Sequence, residues 1–322
     1  MLFYSALIIL KGVIFVISAH HTGPGKVSME AFKDFNQFCV DTGEPEIACW
    51  TGGSGAPLLL LHGYPQTHVM WHKIVARLTQ KFTVVATDLR GHGDSGKPAS
   101  GPETSHLPYS KRVMAADQVA VMDHLGFERF DVCGHDRGGR VAHRLALDHV
   151  ERVKRIVVLD IVPTYKIYNE ANRRIAEDYY HWFFLIQPFD YPERMIGHDV
   201  AYYLSKKMGK YSFGDEVFTR EAMAEYLRCF SAPETIHASC EDYRAAATID
   251  LEHDEADLDI KIKAPLMVLW GEKGAMERNY DVTASWRERA ADVRGRALPC
   301  GHYLAEELPA ETGSALEHFF TE

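Results

Sequence analysis

An α/β fold is what this chain predicts: a mostly parallel central sheet flanked by helices, with a helical cap inserted before the last strands. Three observations carry that expectation. The run Leu58-Leu59-Leu60-Leu61 is continuously apolar, which marks a strand buried on both faces of a sheet. Runs of this kind alternate with helix-forming stretches, the pattern of βαβ units. The alternation stops between Pro163 and about Asp257, where the chain is aromatic and helical, and resumes at Pro265-Leu-Met-Val-Leu-Trp270. Residues 29–162 and 258–322 therefore read as the core, 163–257 as the cap, and 1–28 as an apolar leader or upstream extension.

In chain order, Glu46 to Trp50 is a short strand followed by a Gly-rich turn that ends at Pro57. The Leu58–Leu61 strand ends in His62-Gly63-Tyr64-Pro65, and Met70 to Leu78 reads as an amphipathic helix. Phe82 to Thr87 is the next strand. Residues 96–108 form a polar loop, and Lys111 to Leu125 is a helix stopped by Gly126. A short β-leaning run then leads into Gly134-His135-Asp136-Arg137-Gly138, after which apolar periodicity predicts a helix. Arg155-Ile-Val-Val-Leu-Asp160 is a buried strand ending in a carboxylate. Beyond the cap come a strand at 265–270, another at Arg294 to Leu298, the segment Cys300-Gly301-His302-Tyr303, and a closing helix. His62, Asp136 and Asp160 all fall at strand carboxyl ends, where sheets of this type place ligands.

The bulk composition narrows the classes. With 322 residues, 46% hydrophobic and 25% charged, the chain buries a large core and is neither disordered nor fibrous. A net charge of -10 argues against nucleic acid as a partner, while local arginines still allow an anionic substrate. Cys39, Cys49, Cys133, Cys229, Cys240 and Cys300 show no CxxC and no zinc spacing, so they read as free thiols of a reducing, cytoplasmic compartment. Leu2 to Ser18 is the counter-signal. It is almost wholly apolar, broken by Lys11, which is the pattern of an exported or membrane-tethered leader. It is short for a spanning helix and lacks a charge before the apolar run apart from the terminal amine. Met29 opens Met-Glu-Ala-Phe-Lys, so residues 1–28 read rather as an extension upstream of the folded protein.

The chemistry centres on Gly134 to Gly138. A strand, a tight Gly-flanked turn and a helix form a nucleophile elbow, a turn that pushes one side chain into a site. The usual occupant is serine; here it is Asp136. A carboxylate in that seat suits attack on an alkyl carbon, leaving an ester on the enzyme. The blander reading is a turn with Asp as helix N-cap. His302 follows a late strand after a glycine, where a general base reaches over an elbow, although the chain has seventeen histidines and most serve structure. Asp160 is the acid expected to orient His302; Glu272 and Asp281, after the next strand, are its rivals. Two backbone N–H groups, of Tyr64 and Arg137, are expected to form an oxyanion hole. Arg137 and Arg140, three residues apart beside Asp136, read as a clamp for a substrate carboxylate, against the alternative that they only neutralise nearby acids. His181, Trp182 and Tyr243 in the cap read as donors to a leaving halide, against an aromatic core stripe.

These stretches together, Leu-Leu-Leu-Leu-His-Gly-Tyr-Pro-Gln-Thr-His-Val-Met-Trp-His72, Gly-His-Asp-Arg-Gly-Gly-Arg140, Val-Leu-Asp-Ile-Val-Pro-Thr-Tyr165, Tyr-His-Trp-Phe183 and Cys-Glu-Asp-Tyr-Arg-Ala245, resemble the fluoroacetate (haloacetate) dehalogenases. The resemblance runs from about residue 30 to the C-terminus. It implies an α/β-hydrolase fold with nucleophile Asp136, acid Asp160 and base His302, in the chain order such hydrolases use. It further implies carboxylate binding by Arg137 and Arg140, a halide pocket of His181, Trp182 and Tyr243, and hydrolysis without metal or organic cofactor. Relatives often carry Phe where this chain has Tyr64, and Ala is also seen where it has Gly139. The partner expected is a small anionic haloacid, with a cap-mediated homodimer left open. An epoxide hydrolase shares the Asp–His–acid set but typically has Trp after the elbow Asp, where Arg137 stands here. That arginine also disfavours a haloalkane dehalogenase. A non-catalytic receptor on the same fold is the remaining alternative, and the intact set of three argues against it.

Overall fold

The computed structural model describes residues 4–10, 13–19, 29–214 and 216–322. Eight strands form one sheet: Asn36–Asp41 (β1), Glu46–Gly52 (β2), Ala56–Leu61 (β3), Phe82–Thr87 (β4), Phe130–His135 (β5), Val153–Leu159 (β6), Leu266–Gly271 (β7) and Val293–Leu298 (β8). Their order is β8-β7-β6-β5-β3-β4-β2-β1. Only β2 runs against its neighbours β1 and β4; the other pairs are parallel. Leu58 to Leu61 lie wholly out of solvent between β4 and β5, and every residue of β5 is buried. A leucine so placed contributes roughly 1.5–3 kcal/mol over an exposed one, which is why the unbroken apolar run marks the sheet centre.

Helix α1 (Lys111–His124) starts at Ser110, whose hydroxyl accepts the Val113 N–H at 3.3 Å. Helix α2 (Arg137–Asp148) follows β5 directly. Between β6 and β7 the described chain is helical, including Tyr180–Phe184 (α3), Val200–Tyr211 (α4), Arg220–Phe230 (α5) and Pro233–Ala246 (α6). Pro309–Thr321 (α7) closes the chain.

Three stretches depart from the sequence pattern. Met70 to Leu78 is not one helix but a 3-10 turn, His68–Trp71, and a short helix, Val75–Leu78. The His72 ring takes the Val69 carbonyl at 2.8 Å, alongside the His72 N–H at 2.9 Å, so that acceptor is lost to a continuing helix. Strand β1 escapes the pattern because Asn36-Gln-Phe-Cys-Val-Asp41 is a largely exposed edge with little apolar alternation. In the leader, Tyr4–Leu10 and Val13–Ala19 pair antiparallel with Tyr4 opposite Ala19, while its other residues lie outside the described ones. Among the described residues no helix is long and apolar enough to cross a membrane. All six cysteines are free thiols; Cys39 is exposed and the others buried.

Candidate active site

Asp136 sits between β5 and α2 at φ +45° and ψ −113°, a conformation that costs an L-residue energy and persists only where its surroundings impose it. The surroundings are the elbow's glycines. A Cβ on Gly138 would lie 2.4 Å from the carbonyl oxygens of both Leu61 and His62, so only glycine lets α2 press against the end of β3. The turn leaves the Asp136 carboxylate buried, with one oxygen accepting the Tyr64 N–H at 3.1 Å. Burial pushes its pKa up, but His302, His135, Arg137 and Arg140 outweigh that and hold it below the usual carboxylate value. Tyr64 thus stands where the sequence placed a backbone donor. The Arg137 N–H opens α2, where no intrahelical acceptor exists for it.

His302 and Asp160, 142 residues apart in the chain, meet with His302 Nδ1 2.6 Å from Asp160 Oδ2. Asp160 Oδ1 accepts the Gly271 N–H at 2.9 Å, which fixes the carboxylate at the end of β7. The Asp160 contact fixes the tautomer and leaves Nε2 of His302 as the basic nitrogen. The rival acids are elsewhere. Glu272 pairs with Lys273 at 2.7 Å near the surface, and Asp281 caps a helix by accepting the Ala284 N–H at 2.9 Å.

Arg137 and Arg140 are both buried beside the elbow. Arg137 donates from Nε to Asp242 Oδ2 at 2.5 Å and from Nη2 to the Asp242 carbonyl at 2.8 Å; among the described residues its Nη1 has no partner. Arg140 donates from Nη1 to Val162 O (3.0 Å) and Thr164 Oγ1 (2.9 Å), and its Nε has no partner among the described residues. Against the guanidiniums stand two cap rings. Arg137 lies 4.2 Å from the Tyr243 ring, and Arg140 4.5 Å from the Trp182 ring. Among the described residues the buried Trp182 Nε1 and Tyr243 hydroxyl also lack partners.

His181 differs from those two. Tyr211 donates its single hydroxyl hydrogen to Asp178 O at 2.6 Å, so the His181 ring donates from Nδ1 to the Tyr211 oxygen at 3.1 Å. Burial first, then Lys207, His302, Lys210 and Arg137, push His181 well below the ordinary histidine range, so the ring is neutral. A neutral ring with its hydrogen on Nδ1 has none on Nε2. Of the three expected halide donors, two have a free N–H or O–H.

With the geometry in place, relatives decide the family. Residues 56–309 match the model for the alpha/beta hydrolase fold. The chain belongs to the alpha/beta hydrolases. It is 43% identical to a fluoroacetate dehalogenase of Burkholderia sp over 90% of this chain and 95% of the relative. It is 36% identical to a soluble epoxide hydrolase of Corynebacterium sp. over 80% of this chain and 88% of the relative. It also matches the crystal structure of an alpha/beta hydrolase from Nostoc sp PCC 7120 at 61% identity and a TM-score of 0.89, over 90% of this chain and 99% of that one.

This hydrolase also uses residues that the sequence pattern did not single out. Asp242 bridges Arg137 and Lys111, and burial is outweighed by those two cations, so its carboxyl is held well below the usual range. It lay inside Cys240-Glu-Asp-Tyr-Arg244, and a carboxylate one residue before Tyr243 was the available signal. Glu307 accepts the N–H groups of Gly301 (2.6 Å), Tyr303 (2.9 Å) and Phe213 (3.0 Å), cradling the loop that carries His302. Nothing in the spacing of the sequence marks Glu307.

Proposed function

We propose that this hydrolase converts short 2-haloacids, haloacetate or fluoroacetate, to 2-hydroxy acids and halide. One observation carries the reading. Four buried donors without partners among the described residues, Arg137 Nη1, Arg140 Nε, Trp182 Nε1 and Tyr243 OH, are packed in one cluster beside a carboxylate held in an elbow. An unmet buried donor costs roughly 1–3 kcal/mol, and an anion with a carboxylate at one end and a departing halide at the other would satisfy all four. The fluoroacetate dehalogenase relative supports the same substrate class.

The reaction runs in two steps. Arg137 and Arg140 hold the substrate carboxylate while an Asp136 oxygen attacks the α-carbon in line. A C–O bond forms, the carbon–halogen bond breaks, and the halide leaves with the electron pair. His302, oriented by Asp160, then removes a proton from water, which attacks the acyl carbon of the Asp136 ester. The tetrahedral oxyanion forms on the oxygen that already faces the Tyr64 N–H, with the Arg137 N–H as the second donor. As the intermediate collapses, the bond from its carbon to the original Asp136 oxygen breaks, His302 returns the proton to that oxygen, and the hydroxy acid leaves carrying it. Neither step needs a metal or organic cofactor.

The test is a single turnover of chloroacetate in ¹⁸O-water with enzyme in excess. Expected are released chloride, an unlabelled hydroxy acid and label in the Asp136 peptide. Labelled product from the first turnover would mean direct attack by water and overturn the reading. A neutral epoxide, run in parallel, addresses the epoxide hydrolase relative: its turnover without haloacetate turnover replaces the haloacid assignment.

A further inference from the structure

Helix α4 presents Tyr203, Lys207 and Tyr211 four residues apart, hence on one face. That face meets the site: the Tyr203 hydroxyl lies 2.9 Å from the Tyr64 hydroxyl, and Tyr211 holds His181. Lys207 between them is 2% exposed. Its ammonium lies 4.0 Å from the Tyr211 ring centroid and 5.5 Å from that of Tyr64, and no carboxylate among the described residues pairs with it. Burying an ammonium without an anion is costly, and ring faces recover only part of that cost. Burial accordingly pushes its pKa down to about 7, and the charge that most favours its protonated form is Asp136.

The chemistry of the first step supplies the missing anion. Negative charge passes from Asp136, which becomes a neutral ester, to the departing halide beside Trp182 and Tyr243. His181, the third residue expected there, has no hydrogen on Nε2 while neutral. Both rings that carry the Lys207 ammonium neighbour this pocket: Tyr64 lies edge-on to Tyr243 with ring centroids 5.4 Å apart and near parallel to His181 at 6.4 Å, and Tyr211 accepts the His181 hydrogen bond.

Resting on the haloacid reading above, we propose that Lys207 is the cationic member of the leaving-group pocket and a specificity-determining residue that tilts this hydrolase toward fluoride. An ammonium is a compact point charge, and Coulomb attraction rises as the partner shrinks. Fluoride, small and with its charge concentrated, gains most from it; bromide, large and a good leaving group, gains little.

The experiment compares kcat/KM for fluoroacetate and bromoacetate in wild type, Lys207→Met and Lys207→Arg, with a thermal melt of each. For Lys207→Met the expected loss is about thirty- to a hundredfold on fluoroacetate and under about threefold on bromoacetate. Lys207→Arg keeps a cation and recovers part of the fluoride rate. The melting temperature of Lys207→Met should hold or rise, since replacing an unpaired buried charge by an apolar side chain of like volume relieves desolvation. Equal losses on both halides, or none on either, would overturn the proposal, as would a wild type that turns over bromoacetate but not fluoroacetate. Should the methionine variant fail to fold, Lys207→Gln reads the same ratio. Failure of the haloacid reading itself looks different: the wild type then releases neither halide.

Discussion

On the core side of the site, Asp136, Asp160 and His302 already have protein partners, while Arg137 Nη1 and Arg140 Nε have none among the described residues. His302 gives its N–H to Tyr211 O, receives His135 Nε2 at its carbonyl at 2.8 Å and donates from Nδ1 to Asp160. Asp160 and Asp136 accept backbone N–H groups at fixed strand ends. On the cap side, Trp182 Nε1 and the Tyr243 hydroxyl are buried with no partner among the described residues, and Lys207 rests on ring faces. Asp136, Asp160 and His302 are therefore organised before substrate arrives, whereas under the proposed function the open donors of core and cap alike are completed by it. Bond-making groups must be held within a fraction of an ångström. Recognition groups gain affinity from staying unmet until the right anion enters.

The largest expected effect falls on the core. Asp136→Asn puts a poor nucleophile in an unchanged elbow, so halide release should drop by at least about 10⁴-fold. Halide assay together with mass spectrometry, which excludes deamidation back to Asp, checks this. Substantial release from protein that still carries the amide would remove Asp136 from the chemistry. His302→Asn separates the two steps instead. The first halide should still be released in a burst, and the protein should then carry an acyl adduct on Asp136. A lost burst with unmodified protein would show that His302 serves the alkylation step or the fold.

The proposed carboxylate clamp, which faces the cap from α2, should respond differently. Arg137→Lys keeps a charge but loses the planar fork that holds Asp242 with one edge and leaves Nη1 open. A charge-assisted bond is worth roughly 1.5–3 kcal/mol, so kcat/KM for haloacetate should fall about ten- to a few hundredfold. Haloacetamide, which has no carboxylate, should be nearly insensitive. Equal losses on both substrates would make Arg137 a structural partner of Asp242 and nothing more.

Sequence and structure agree best where one residue type has few ways to satisfy a geometry. The apolar run of β3, the Gly-flanked Asp136 and the carboxylate ending β6 each follow from local rules, and all were readable. Asp242, Glu307 and Lys207 were not. Their partners lie 105 residues away for Asp242 with Arg137, and 94 residues away for Glu307 with Phe213. Only the folded sheet and cap bring such pairs together. The broken helix at Met70–Leu78 has the same lesson at short range: apolar periodicity was right, but the His72 ring competed for the carbonyl a helix needs.

The smallest effect on turnover, and the most informative about how cap and core are joined, concerns Glu306. This carboxyl is buried just beyond the His302 loop, accepting Gln66 Nε2 from the segment after Tyr64 and the Tyr226 hydroxyl from α5 at 3.1 Å. Lys73 stands nearby but donates to backbone carbonyls, including Glu306 O at 2.9 Å. Burial pushes the Glu306 pKa from 4.5 up to about 8. At neutral pH the folded protein therefore holds a proton there that the unfolded chain has lost. The raised value stabilises the fold fully below pH 4.5, and that contribution is lost as pH rises toward 8. Glu306→Gln carries no titrating proton, so its stability should be flatter across this window. Wild type should lose about 2–5 kcal/mol relative to it between about pH 5 and 9, read as diverging denaturant midpoints. Turnover at neutral pH should change less than about threefold, because the protonated acid and the amide offer Gln66 and Tyr226 similar neutral partners. Parallel stability curves across the window would mean that Glu306 is ionised throughout and is held by Lys73.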